Sequence, residues 1–147
     1  MHFQTEAQKS CYLKVAGWMD RLFGDTPWER LDGPGFGLFM GSAWVEVTIL
    51  PWEINNSMIQ VRSVVVKGAQ HTSDLYLFLL QQNAELHFGA FALDREGQIL
   101  LQHTIVGSTC DPLELETSVR EVLDIADAYD DQIRSVWGGE RALDQEP

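Results

Sequence analysis

Two segments of the sequence, 44–50 and 58–67, alternate apolar with polar residues, and this pattern constrains the fold most strongly. The apolar positions of the two segments are Val45, Val47, Ile49, Ile59, Val61 and Val65. Successive side chains of a strand point to opposite faces of a sheet, so the alternation predicts a sheet with one face in the core and one largely wet. Turn residues at 41–42 and 55–57 join these strands and a short strand at 36–40 into a predicted antiparallel meander.

Three further segments predict helices. Apolar residues recur at steps of three and four in 5–23, 73–83 and 112–137. Asp111 and Pro112 are typical of a helix start, and the glycine pair 138–139 ends the last helix. The segment 25–28 predicts one additional short helical turn, with Pro27 at its first position.

A second pair of strands, 87–93 and 98–106, flanks a loop that ends in Gly97, which favours a hairpin closed by a bulge. The predicted order is therefore α-β-β-β-α-β-β-α, an α+β fold with a five-stranded antiparallel sheet and its helices mainly on one face. We expect a single domain over 1–147, ordered over about 5–139, with a frayed tail at 140–147.

The chain is strongly acidic. Ten Lys and Arg face 22 Asp and Glu, a formal net charge of -12 at pH 7. Such a surface repels phosphate, so nucleic acid and anionic membranes are poor partners and a basic polypeptide suits it better. The two cysteines, Cys11 and Cys110, have no framework spacing. Together with an N-terminus unlike a secretion signal and no apolar run long enough to span a membrane, they predict a cytoplasmic protein with reduced thiols.

Residues with catalytic potential are scattered along the sequence. The glycine-rich segment 33–37 lacks the Lys and Ser or Thr of a phosphate-binding loop. Cys110 precedes a helix, where a thiol pKa can fall, but Asp111 beside it opposes that effect. We therefore predict no enzyme activity, no catalytic residue and no cofactor. The alternative is a metal-dependent sensor or enzyme that uses His87 and His103, or the acidic face of the last helix. The two histidines lie on the two strands of the last predicted hairpin, and the turn register decides whether they share a face.

Aromatic and sulfur-containing side chains on the polar phase of the meander are the candidates for binding a peptide. Trp44 lies on that phase, and Trp52, Met58 and Phe36 are expected near it. Exposed Trp and Met are common at protein-binding surfaces. The alternative is that these side chains pack under a helix or a loop.

The order of elements resembles that of the type III secretion chaperones, and the second half of the chain is similar to the bacterial YbjN-like family. The similar stretches are 83–86, 88–94, 97–101 and 127–130. This resemblance implies a fold with a peptide-binding sheet surface, often dimeric among the secretion chaperones, and implies no enzyme activity. It supplies no catalytic residue.

The length of the last helix predicts self-association. It would run about 39 Å, whereas five strands make a sheet only about 20–25 Å wide. The apolar residues of the overhang, Ile133, Val136 and Trp137, would meet water unless a second copy of the chain covered them in a homodimer. The alternative is that the first helix or the tail folds back over them and the chain stays monomeric.

Overall fold

A six-stranded antiparallel sheet forms the centre of the computed structural model, which describes residues 1–141. The elements in chain order are α1 (Glu6–Phe23), β1 (Trp28–Arg30), β2 (Gly35–Met40), β3 (Ala43–Trp52), β4 (Asn56–Val66), α2 (Ser73–Glu85), β5 (Ala90–Leu93), β6 (Ile99–Val106) and α3 (Pro112–Trp137). The spatial order of the strands is β1-β2-β3-β4-β6-β5. The predicted α+β class, antiparallel sheet and helical layer are confirmed.

The sheet has six strands rather than the predicted five, because the segment expected as a helical turn is the edge strand β1. Its three residues pair with β2, Trp28 opposite Leu38 and Arg30 opposite Phe36. The ring of Trp28 meets Phe36 edge-on, with 5.9 Å between ring centroids. Strand pairing and this aromatic contact outweigh the local helix-start signal of Pro27, because tertiary context overrides weak local propensity.

The core lies between one face of the sheet and the helices α1 and α3. It contains the alternating apolar positions of the two predicted strands, and residues of the later elements pack with them: Val45, Val47, Ile49, Ile59, Val61, Leu79, Phe91, Leu101, Val119, Val122 and Ala126. The helix α2 lies beside the edge strand β5 and reaches α3 through Phe78, whose ring centroid is 6.2 Å from that of Tyr129. All three helices therefore lie on the same side as this core.

The helices begin where the sequence places their caps. The hydroxyl of Thr5 accepts a hydrogen bond from the Gln8 N–H at the start of α1. At the start of α3, Asp111 and Glu114 form a capping box in which each side chain accepts from the other's main-chain N–H. These caps satisfy donors that a helix start otherwise leaves unpaired.

The end of α3 does not project into water as expected. Ile133 is fully buried, and Trp137 is half-buried with its Nε1 donating to the Thr72 hydroxyl at 3.1 Å; only Val136 is exposed, at 64%. Helix α2 and its N-cap pack against the end of α3 through Phe78 and Thr72. Ile133 and Trp137 are therefore covered within one chain and need no second copy to shield them from water.

The chain turns back after α3. Gly138 and Gly139 adopt positive φ, and Glu140 then forms a two-hydrogen-bond bridge with Lys67. The predicted tail thus starts with a paired residue, and 142–147 lie outside the described residues. No helix within 1–141 has the length and apolar character needed to cross a bilayer.

Candidate functional site

The face of the sheet opposite the core is open, because none of the helices described within 1–141 packs on it. We call it the open face. Its side chains come from the polar phase of β3 and from the matching positions of β2, β4, β5 and β6. The strand register sorts these side chains into four rows that cross the sheet.

The first apolar row runs across five strands at one end of the open face. Its members are Phe39, Trp44, Val64, Leu100 and Ala92. Phe39 and Trp44 are directly opposite each other, with 4.8 Å between ring centroids. The indole Nε1 of Trp44 donates to a Glu46 carboxylate oxygen at 3.2 Å, which holds the ring against the sheet.

The second apolar row lies at the other end of the open face. Met58 is directly opposite Leu50 on one side and Val106 on the other. Trp52 follows on the same phase of β3 and is 40% exposed. Six residues of β3 separate Trp44 from Leu50, which places the two apolar rows about 20 Å apart.

Polar side chains occupy the space between the apolar rows. One polar row consists of Glu46, Arg62 and Gln102, and the Arg62 Nε donates to the Gln102 amide oxygen at 3.2 Å. The other consists of Thr48, Gln60 and Thr104. The open face is therefore apolar at both ends and hydrogen-bonding in the middle.

The predicted peptide-binding residues do not form one cluster. Trp44 is in the first apolar row, whereas Met58 and Trp52 lie at the opposite end of the face. Phe36 is in the core, where its ring stacks on Tyr12 with 5.1 Å between centroids. The expectation that these four residues lie together is wrong, because Phe36 falls on the buried phase of β2 and the register separates the others.

Six members of the apolar rows escaped the sequence-based prediction. They are Phe39, Leu50, Val64, Ala92, Leu100 and Val106. The alternation of 98–106 contains the necessary signal for β6, since Leu100 and Val106 share one phase. The signal is usable only once β6 is known to pair with β4.

The two outer edges of the sheet differ. At β5, the Asn83 side-chain amide accepts from the Phe91 N–H at 2.6 Å and donates to the Phe91 carbonyl at 3.2 Å. The amide thus occupies the main-chain groups that a further strand would need at this position. At β1, no side chain within 1–141 makes hydrogen bonds of this kind to the main-chain groups of Trp28 and Arg30.

The residues with catalytic potential are placed separately. His103 Nδ1 is 2.8 Å from the Ser118 hydroxyl, and burial lowers the pKa of this imidazole. His87 lines the same cavity as His103. Burial, and then the nearby Glu114 carboxylate, raises the pKa of the Cys110 thiol to about 12. Among residues 1–141, no group of three or more His, Cys, Asp or Glu side chains could hold a metal ion.

Residues 13–145 match the model of a family described as T3SS (YopN, CesT) and YbjN peptide-binding chaperone 1, TY-Chap1. The chain belongs to the TY-Chap1 family. The match spans β1 to α3 and includes both apolar rows of the open face. TY-Chap1 membership agrees with the resemblance to YbjN-like proteins and secretion chaperones drawn from the sequence.

Solved structures share the fold of this TY-Chap1 chain. A chain in the ExsC–ExsE complex is 14% identical, with a TM-score of 0.59, 88% of this chain covered and 97% of the other. A chain in the HopA1–SchA chaperone–effector complex is 9% identical, with a TM-score of 0.61 and coverage of 83% and 97%. At these identities the likeness establishes the fold. No curated protein sequence matches the chain.

Proposed function

We propose that this chain is a non-enzymatic, chaperone-like binding protein that holds an extended segment of a partner polypeptide on its open face. The observation that carries this proposal is the pair of apolar rows on an otherwise polar sheet surface, each with an exposed aromatic member, Phe39 at 44% and Trp52 at 40%. An uncovered patch rimmed by polar residues is typical of an interaction site. Family membership supports a polypeptide as the occupant.

The spacing of the rows suits an extended peptide. A span of about 20 Å corresponds to roughly six extended residues. Such a segment can place one apolar side chain beside Trp44 and another beside Met58, while the middle row at Glu46, Arg62 and Gln102 offers donors and acceptors to the residues between them. Trp and Met contribute large contact areas at such surfaces.

The electrostatics of the chain favour a basic partner in the cytoplasm. A net charge of -12 attracts positively charged segments and repels acidic ones. Cys11 and Cys110 are both buried and unpaired, as suits a reducing compartment. The high pKa of Cys110 argues against a nucleophilic role and supports a binding function.

The test uses 12-residue peptides selected from a random display library on the wild-type protein, with their affinities measured by calorimetry. Trp44→Ala and Met58→Ala should each weaken binding about tenfold or more, because each removes a large buried apolar contact. Val136→Ala, an exposed position on the helical side, is the matched control and should change affinity less than twofold. Selected peptides that bind both open-face variants as tightly as wild type would refute the proposal.

A further inference from the structure

The strand β6 is longer than its outer neighbour β5, so part of its edge is uncovered. β5 pairs only with residues 99–102 of β6, and its first residue, Ala90, is opposite Gln102. Before Ala90 the chain leaves the sheet at Gly89, which has a φ of +89°. Residues 103–106 of β6 therefore have β4 on one side and, in the part of the chain that the structure describes, no strand on the other.

The main-chain groups along this free edge point outward at Thr104 and Val106. The Gly107 N–H donates to the Ser57 carbonyl at 2.8 Å, which directs the groups of 107, 105 and 103 toward β4. The hydrogen bonds between Asn83 and Phe91 lead independently to the same alternation. The main-chain groups of Phe91 point away from β6, so Leu100 and Gln102 are the β6 residues whose main-chain groups point toward β5. Within 1–141, the N–H and carbonyl groups of Thr104 and Val106 have no hydrogen-bond partner.

This edge lines a cavity of about 560 Å³ between β6, the residues before β5 and the first turn of α3. Phe88, Val106 and Leu113 supply apolar surface, and all three are exposed. Asp111 and Glu114 supply two carboxylates. Among the lining residues described within 1–141 there is no Lys or Arg, so the carboxylates make the cavity negative.

The carboxylates of Asp111 and Glu114 each use one oxygen to cap α3, and the other oxygen of each can accept a hydrogen bond from a ligand. Asp111 Oδ1 accepts from the Glu114 N–H at 2.8 Å, and Glu114 Oε1 accepts from the Asp111 N–H at 3.3 Å. The second oxygen of each carboxylate has no partner among the described residues. His103 Nδ1 is 2.8 Å from the Ser118 hydroxyl, and burial lowers the pKa of this imidazole, which disfavours its charged form.

We propose that the free edge of β6 at Thr104–Val106 is a second docking site, which takes a short extended segment of a polypeptide that carries a basic side chain. The segment continues the line of β5 by pairing with the outward main-chain groups of β6. Its Lys or Arg reaches the carboxylates of Asp111 and Glu114, and its neighbouring apolar side chain contacts Phe88. The site rests on the proposed function only in that both take a polypeptide. It uses the main-chain groups at the edge of β6 and the carboxylates of α3, whereas the side chains of Thr104 and Val106 belong to the open face.

The test is an NMR titration of the 15N-labelled full chain with the capped peptide Thr-Val-Thr-Arg-Thr-Val-Thr and with its Glu-centred counterpart. We expect saturable shifts of the Thr104 and Val106 amides with the Arg peptide and at least about tenfold weaker binding of the Glu peptide. Absence of these shifts at millimolar peptide would overturn the proposal.

Two variants identify the contacts. Val106→Pro removes an outward N–H without touching the β4 ladder, a placement that edge strands tolerate, and should weaken the Arg peptide about tenfold. Val106→Thr keeps that N–H and is its control. Glu114→Gln preserves the capping box and should weaken the Arg peptide severalfold.

The variants also separate this proposal from the open-face proposal. Binding that is insensitive to Val106→Pro and to Glu114→Gln, yet lost in Trp44→Ala, would place the peptide on the open face. That outcome would refute the edge site and leave the proposed function standing. Binding that is lost in Val106→Pro, kept in Val106→Thr, weakened in Glu114→Gln and unchanged in both Trp44→Ala and Met58→Ala supports the edge site.

Discussion

The indole of Trp44 lies across Gly37, where an added Cβ would come within 2.1 Å of the ring. Gly37 is buried under this ring although it belongs to the phase of β2 that faces the open side. The absence of a side chain at Gly37 therefore allows the largest member of the first apolar row to lie flat on the sheet.

Gly37→Ala should move the Trp44 ring off the sheet. The unfolding free energy should change by less than about 1 kcal/mol, because the lower entropy of the unfolded chain offsets the lost contact. The indole N–H resonance of Trp44, assigned with Trp44→Phe, should shift as its bond to Glu46 breaks. Gly33→Ala, where an added Cβ meets nothing within 4 Å, is the control. An unmoved indole resonance in Gly37→Ala would contradict the packing.

Val47 and Thr48 are neighbours on β3 that point to opposite faces. Val47 is fully buried, so Val47→Ala should lower the unfolding free energy by about 1–3 kcal/mol through lost burial and a cavity. Thr48→Ala, on the open face, should cost about 1 kcal/mol or less. Urea denaturation measures both. Equal costs at the two positions would mean that the faces are wrongly assigned.

Asn83 should stabilise the β5 edge through its two hydrogen bonds to Phe91. Asn83→Ala leaves both main-chain groups without that partner, and we expect a loss of about 1–3 kcal/mol in unfolding free energy. The Phe91 amide should exchange with solvent faster in this variant. Gln81→Ala, on the exposed side of α2, should stay within about 0.5 kcal/mol of wild type. Unchanged exchange at Phe91 would show that the amide does not protect the edge.

The hydroxyl of Ser42 contacts both Asp127 and Asp130, which anchors the β2–β3 turn to α3. Burial raises the pKa of Asp130, which is 2% exposed, whereas the Ser42 side chain and N–H lower the pKa of Asp127. Burial therefore disfavours the charged form of Asp130, whereas the Ser42 contacts favour the charged form of Asp127.

These opposite shifts give opposite pH dependence. Since the native pKa of Asp130 is raised, its contribution to stability is present in acid and is lost as pH rises above about 3.8, its ordinary value. Asp130→Asn should therefore gain stability relative to wild type between pH 4 and pH 7. Asp127, whose pKa is lowered, contributes above its ordinary value, so Asp127→Asn should be destabilising at pH 7 and less so in acid. Urea unfolding at both pH values checks the two signs, and parallel curves would contradict them.

Local patterns in the sequence were sufficient for the three long helices and for the two faces of β3 and β4, although the helical turn that they predicted at 25–28 is wrong. Alternation identified the buried side of β3, and the Asp111–Pro112 start located α3. These features depend on neighbours in sequence, such as a cap and its N–H groups or one strand phase against the other. The hairpin turn before Gly97 is of the same kind, since its φ of +80° favours glycine.

Features set by distant pairing could not be predicted in this way. β1 forms because β2 offers it an edge, and the pairing of β4 with β6 brings Met58 next to Val106 across 48 positions of sequence. A bulge between Val64 and Val66 shifts the register once more. The apolar rows of the open face are products of that register, so the sequence indicated Trp44 and Met58 as exposed candidates but placed them too close together.

The central claim is that an extended polypeptide lies on the open face, and intermolecular NOEs test it most directly. The measurement uses a display-selected peptide bound to protein labelled at the methyl groups of Met, Leu and Val and at the Trp indoles. We predict cross-peaks from the peptide to the Met58 methyl and to the Trp44 indole, at opposite ends of one bound segment. Cross-peaks confined to the helical side, at exposed residues such as Leu13 and Val136, would contradict the account.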